Sequence, residues 1–338
     1  MSHTLSRTAE RVYWLGRYLE RAECTARLVM VNGNLLIDLP RRRPLAWRSL
    51  VDIMGTQEHF ASLYETADER SVVRYLTADL RHSGSLLASL GAARENARTI
   101  RELMPRVTFE YINELYLQFK DAHAGSLSRS RVAEAMDLVL RRVQHLHGFL
   151  SATMIHGAAW HFLRIGQFIE RADMTTRIID VRSVDAFAEQ GEDLEPYAQL
   201  QWRSVLRSLH AMQAYHVCVQ QPLAQPLALE FLFNERDLPR SVAYGLARIR
   251  SALRALPRND KPLNAINRVV RFLEHQDVKQ LEGATLHRFI DDLQLKLFEL
   301  DRSIDRTYFH AHLRMRQHAR GERRSTDAEI DPAGRERA

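Results

Sequence analysis

The chain has 338 residues, enough for two domains of ordinary size or one large domain built from two similar halves. Its hydrophobic content of 45% and charged content of 27% are those of a globular chain; 14 Gly and 10 Pro are too few for an all-β protein full of tight turns, and no apolar run reaches the ~18 residues of a membrane span. A formal net charge of +6 is mild for this length, and two cysteines, Cys24 and Cys218, provide no disulfide framework.

The first predicted helix runs from about Leu5 to Leu36. Val12, Leu15, Leu19, Ala22, Ala26 and Val29 recur at three- and four-residue steps and draw one apolar stripe. Ser2 or Thr4 is placed to cap its start, and it should stop before Pro40. Met1 to Arg7 has none of the apolar core of a signal peptide, so a reducing, cytoplasmic setting is expected. Leu39 to Pro44 reads as a loop. A short helix near Ala46 to Met54 and further helical stretches to about Thr77 follow. Ser83-Gly84-Ser85 reads as a turn that opens a helix to about Leu103, and Pro105 marks another helix N-terminus. Val107 to Phe119, Arg129 to Ile155 and Ala158 to Val181 are then helical. Ser183 to Glu195 is an acidic connection, Pro222 and Pro226 bracket a turn, Pro239 starts a helix, and Pro257 to Asp260 form another turn. The last long helix covers roughly Leu281 to Met315. No stretch keeps a two-residue alternation for long, so the expected fold class is all-α, in packed antiparallel bundles.

One segment occurs twice. Leu15-Gly16-Arg17-Tyr18-Leu19-Glu20-Arg21-Ala22-Glu23 with Thr25 and Arg27 returns, about 150 positions later, as Ile165-Gly166-Gln167-Phe168-Ile169-Glu170-Arg171-Ala172-Asp173 with Thr175 and Arg177. Trp47-Arg48-Ser49 is echoed by Trp202-Arg203-Ser204. Tyr75-Leu76, Ser85 and Arg94 are echoed by Phe231-Leu232, Ser241 and Arg250, at offsets of about 155 and 156. The expected architecture is two tandemly duplicated helical lobes packed together, residues 1–155 and 156–316, followed by a disordered basic tail over 317–338.

On a helix, residues three and four apart share a face. Gly16, Glu20, Glu23 and Arg27 therefore form a line beside the apolar stripe, as do Gly166, Glu170, Asp173 and Arg177, while Arg21 and Arg171 lie on its other flank. A glycine inside a helix costs about 1 kcal/mol relative to Ala, so keeping one in both copies points to a backbone or a ligand approaching closely there. Two readings of these charges stand side by side: a buried ionic network that holds register, or a site with Glu20 and Glu170 as its reactive carboxylates and Arg21, Arg171, Arg27, Arg177, Glu23 and Asp173 around the substrate. Arg94, Asn96, Arg98 and Asn113 form a second group rich in donors for a carboxylate or phosphate. Arg250 and Arg254 repeat the two arginines without a counterpart of Asn96, so such an anion site would be asymmetric.

Other chemistries find little support. There is no phosphate loop, so ATP binding by this chain alone is not expected, and no Glu-x-x-His for a di-iron bundle. The arginines beside the carboxylates disfavour a cation, so no metal and no cofactor is expected. His145, His147, His156 and His161 read as surface or packed histidines, and Asp79 and His82 as a lone acid–histidine pair in a loop. Nucleic-acid binding rests on the basic tail and the mild positive charge, without a reading motif.

The stretch from Leu5 to Glu23 resembles the bacterial alpha-E domain family, all-helical and named for its Glu-Arg motif. The Arg94-to-Arg98 segment with Glu102, Asn113 in its Ile-Asn-Glu setting, and the second motif through Arg177 extend the resemblance over roughly residues 4 to 315. The resemblance implies a context: such proteins accompany circularly permuted ATP-grasp proteins and transglutaminase-like peptidases. The implied role is a component of an ATP-grasp-linked, amide-bond-forming system that binds or processes an amino acid or peptide between the lobes. The ATP-grasp and transglutaminase-like partners would be separate proteins, and a homo-oligomer is compatible with the sequence. A non-catalytic scaffold for the ligase is the alternative, and a nucleic-acid-binding protein a second one.

Overall fold

A computed structural model describes residues 3–38, 45–123, 128–183 and 195–310, and among them it contains helices and no strand. The helices are α1 (His3–Asp38), α2 (Leu45–Met54), α3 (Gln57–Leu63), α4 (Glu69–Thr77), α5 (Leu86–Thr99), α6 (Val107–Ala122), α7 (Arg129–Thr153), α8 (Ala158–Ser183), α9 (Glu195–Ser208), α10 (Met212–Val219), α11 (Gln225–Asn234), α12 (Val242–Arg254), α13 (Asp260–Glu274) and α14 (Gly283–Ile304). The loop expected over 39–44, residues 184–194 of the connection expected from Ser183 to Glu195, and the basic tail over 317–338 lie outside the described residues, while Ser183 ends α8 and Glu195 starts α9.

Local chemistry explains most boundaries. Ser85 and Ser241 cap α5 and α12, accepting from Ala88 N at 3.3 Å and Tyr244 N at 3.0 Å. Asp68 caps α4 through Ser71 N at 2.8 Å. Gly55 follows α2 with φ of 66°, the left-handed exit that glycine adopts without strain. Several expectations need correction. Thr4 lies inside α1 and is not its cap. Pro239 sits in the turn ahead of α12, whose N-cap is Ser241. The segment to Leu103 is not one helix: α5 stops at Thr99, and a 3-10 turn covers Arg101–Leu103. The last long helix stops at Ile304 and passes into a π-helical turn, Asp305–Phe309.

The centre of the molecule is the crossing of α1 and α8. The apolar stripe of α1 is buried, with Val12, Leu15, Leu19, Ala22 and Ala26 all at 0% exposure, and Phe162, Ile165, Ile169, Ala172 and Ile179 of α8 are buried with it. α5 and α7 also pack on α1, and α12 and α14 on α8. Contacts across the central pair advance together along both helices: Tyr13 meets Gly166, Gly16 meets Leu163 and Gln167, and Arg17 and Arg21 meet Glu170. The two helices therefore run parallel, against the antiparallel expectation. Parallel neighbours need a long connection, which the helices between them supply. No described helix is long and apolar enough to cross a membrane.

The crossing explains the two glycines. A Cβ on Gly16 would lie 2.2 Å from the carbonyl oxygen of Leu163, and one on Gly166 would lie 2.0 Å from that of Tyr13. Both obstacles are backbone atoms of the facing helix, so only a residue without a Cβ lets the helices approach this closely.

Candidate functional site

Just beyond the glycine crossing, the two Glu-Arg pairs exchange partners. Glu170 accepts from Arg21 Nε at 2.5 Å and Arg21 Nη2 at 3.0 Å. Glu20 accepts from Arg171 Nε at 2.8 Å and Arg171 Nη2 at 2.7 Å. Each arginine thus holds the carboxylate of the other helix in a two-pronged grip, the strongest form of this interaction. Position 17 and its counterpart 167 repeat the reciprocity: Arg17 Nε donates to Glu170 Oε2 at 2.8 Å, and Gln167 Nε2 to Glu20 Oε2 at 3.2 Å. Arg17 also reaches Asp301 of α14 at 3.0 Å, and the buried Tyr13 hydroxyl donates to the same carboxylate.

The two ends differ beyond that. Glu20 and Glu23 are buried and share a further cation, Arg240, from the turn before α12. Its Nη1 donates to Glu20 Oε1 at 2.9 Å and its Nη2 to Glu23. Arg27 adds a 2.6 Å bond to Glu23 and lies 3.1 Å from His210 Nδ1. Burial alone would push these carboxyls up, but Arg171 and Arg240 overcome it at Glu20, and Arg240 does so at Glu23, so both are held below the usual carboxylate range. His147 stands 3.6 Å from Glu23 and 3.2 Å from Gln167. Burial holds its imidazole below the ordinary histidine value despite the pull of Glu23 and Glu20. Glu20, Glu23 and His147 have the donor types of a metal site within 4.8 Å of one another. Arg171, Arg240 and Arg27 already satisfy these carboxylates, so the set does not fit a cation as arranged.

Around Glu170 the structure opens. A cavity of roughly 320 Å³ lies between α2, the turn before α5, and the middle of α8, reached by Arg21, Arg81, His82, Glu170, Asp173 and Arg177 among others. Burial raises the Glu170 carboxyl, but Arg21 and Arg17 reverse this and bring it down to about 2. Asp173, three residues on, bonds Arg177 Nε at 2.8 Å; burial outweighs that arginine and leaves its carboxyl above the ordinary aspartate value. His82, stacked on Tyr75 with centroids 4.3 Å apart, is pushed down to about 4 by burial, and the neighbouring His59 and Arg21 act in the same direction. Arg81 is exposed and grips the buried Asp79, which also accepts from Tyr64 at 2.7 Å.

The expected residues thus divide into three sets. Glu170, Arg21, Asp173 and Arg177 meet at the cavity. Glu20, Glu23, Arg27 and Arg171 form the packed ionic cluster beside it, and none of them lines the cavity. Arg94, Asn96, Arg98 and Asn113 lie apart on α5 and α6: Arg94 Nε donates to Asn113 at 2.6 Å and Arg98 bonds Glu95 at 3.0 Å. Asn96 is half-buried, its carbonyl accepting from Thr99. Sequence reasoning missed Arg17, Arg240 and His147, and treated His82 as a loop residue. A signal for Arg240 existed, because it directly precedes Ser241, the cap already matched to Ser85. Asp301 had none.

A search of solved structures finds no match for this chain. Among curated proteins it is 26% identical over 317 residues to a protein of Mycobacterium bovis and to one in each of two Mycobacterium tuberculosis strains, all three described only as uncharacterized. The match takes in 87% of this chain and 34% of each relative, so the chain spans about a third of the length of the curated relatives it matches. The family model described as a predicted alpha-helical domain with a conserved ER motif covers residues 4–309, through both Glu-Arg pairs, and the chain belongs to that family, Alpha-E.

Proposed function

We propose that this chain is the substrate-holding helical component of an ATP-grasp-linked system that forms amide or peptide bonds, and that it binds an amino acid or peptide in the cavity beside Glu170. The ATP-grasp and transglutaminase-like proteins are its partners in that system. The two halves are read as a tandem duplication, which the reciprocal glycine contacts and crossed Glu–Arg pairs support.

The observation that carries the reading is the asymmetry of the two pairs. Glu20 is packed shut by Arg171 and Arg240, whereas Glu170 and Arg21 line a cavity with further acids and arginines. A carboxylate held near 2 is a weak base at neutral pH, so Glu170 serves as an ionic anchor, with Arg177 and Arg81 available to a substrate carboxylate. Glu20 has the scaffold role weighed above for both pairs. Thermal-shift screening against amino acids and short peptides, with and without the ATP-grasp partner, tests this. A ligand-induced stabilisation that Glu170→Gln abolishes is expected. No shift with any amino acid or peptide, together with unchanged ligase output from Glu170→Gln, refutes it.

A further inference from the structure

The two ionic clusters share the crossed Glu–Arg core and differ in what surrounds it. Glu20 Oε2 accepts from Arg171 Nη2 and Gln167, and Glu170 Oε2 from Arg21 Nη2 and Arg17. Glu20 Oε1 accepts from Arg171 Nε, from Arg240 Nη1 and, at 3.7 Å, from Cys24 Sγ. Glu170 Oε1 accepts from Arg21 Nε and has an acceptor position to spare. The missing twin is the Arg240 guanidinium.

The sequence echo says why. Ser85 matches Ser241, and the two serines cap their helices in the same way. The residue before Ser241 is Arg240; the residue before Ser85 is Gly84, at the cavity. The Trp47 and Trp202 blocks likewise match Gly55 to His210, both left-handed with φ of 66° and 53°. His210 packs on Arg27, and Arg177 packs on Gly55, its Nη1 2.9 Å from where a Cβ would lie. Gly84 lines the cavity where the other cluster has Arg240, and the His82 ring, 2.9 Å from where a Gly84 Cβ would lie, stands beside it.

We infer that this cavity receives the cationic end of a bound molecule, an ammonium or guanidinium group that takes the place beside Glu170 and Asp173 which the Arg240 guanidinium takes beside Glu20 and Glu23. The inference rests on the reading above that the cavity is the binding site. Two further observations support it. His82, only 5% exposed, lines the cavity with a buried Nε2 that has no hydrogen-bond partner. Asp173 has Arg177 alone, and its carboxyl is held up by burial, whereas Glu23, with Arg240 and Arg27, is held down. A cation between Glu170 and Asp173 would meet the spare acceptor position of Glu170 Oε1 and the Asp173 carboxylate, which has a single arginine partner. Arg81 and Arg177 bond Asp79 and Asp173 through Nε and, for Arg81, Nη2, so their remaining N–H groups are what a carboxylate on the same molecule would meet, which makes a zwitterion the matching class.

Calorimetric titration of the full chain with L-arginine, L-citrulline and N-acetyl-L-citrulline tests it. Arginine binding about tenfold or more tighter than citrulline assigns the position to a side-chain guanidinium. Equal binding of arginine and citrulline with loss of the acetylated form assigns it to the α-ammonium group. Either result supports the inference, and Asp173→Asn, checked for folding by circular dichroism, should then weaken the better probe about tenfold. N-acetyl-citrulline binding as well as arginine, an unchanged affinity in Asp173→Asn, or no binding by any probe overturns the inference. Binding of an uncharged or anionic peptide in the broader screen would leave the proposed function standing without it.

Discussion

Glu20→Gln is the substitution whose cost the structure specifies best. The side chain keeps its volume but loses its charge, and its new amide carries donors into a space already filled with donors. Glu20 is fully buried and accepts from Arg171 at 2.8 and 2.7 Å, from Arg240 at 2.9 Å and from Gln167 at 3.2 Å. After the change, Arg171 has no carboxylate partner, and Arg240 shares Glu23 with Arg27. Removing one member of a buried pair costs about 3–5 kcal/mol, because the abandoned charge stays desolvated. That is a large part of the ~5–15 kcal/mol that holds a typical domain together. Glu170→Gln should cost less, about 1–3 kcal/mol. Arg17 keeps Asp301 at 3.0 Å, and the Arg21 side chain, 21% exposed, can turn to water in the cavity. Urea unfolding at neutral pH, followed by far-ultraviolet circular dichroism with matching m values, measures both. A Glu20→Gln variant within about 1 kcal/mol of wild type, or one less affected than Glu170→Gln, would refute the division into a packed and an open pair.

Other outcomes follow from the same geometry. Gly166→Ala should destabilise by about 1–3 kcal/mol or more despite a helix-propensity gain of ~1 kcal/mol, because its Cβ would meet a backbone oxygen. Gly16→Ala should behave alike, and the double variant should cost less than the sum, since the helix separation forced by one relieves the other; additive urea midpoints would contradict this. Stability should fall below neutral pH in two windows. The His82 value drops from 6.5 to about 4 on folding, so its contribution is complete above 6.5 and lost as pH falls through 4; His82→Phe should flatten that limb. Glu170 drops from 4.5 to about 2, so its contribution of about 3 kcal/mol is complete above 4.5 and lost towards pH 2, a slope absent in Glu170→Gln. Asp173, raised by burial, opposes that lower slope. Denaturant midpoints across pH 2–8 for the three proteins decide these points.

The all-helical class, the apolar stripe of α1 and the close approach at Gly16 and Gly166 were legible in the chain, because helical period and glycine cost are local properties. The Glu23–Arg27 pair was legible for the same reason, its members being four residues apart on one helix. That Arg21 would hold Glu170 while Arg171 holds Glu20 was not, since the crossing of α1 and α8 sets those partners and no local rule states which way the helices run. Arg240 and Asp301 reach the network from distant turns and helices. The amino-acid sequence by itself determined the helices and placed a charged pair on each of two matching ones. Only the tertiary structure decided that one pair would be sealed by a third arginine and the other left facing a cavity, because burial and charge compensation depend on what the rest of the chain brings against a helix face.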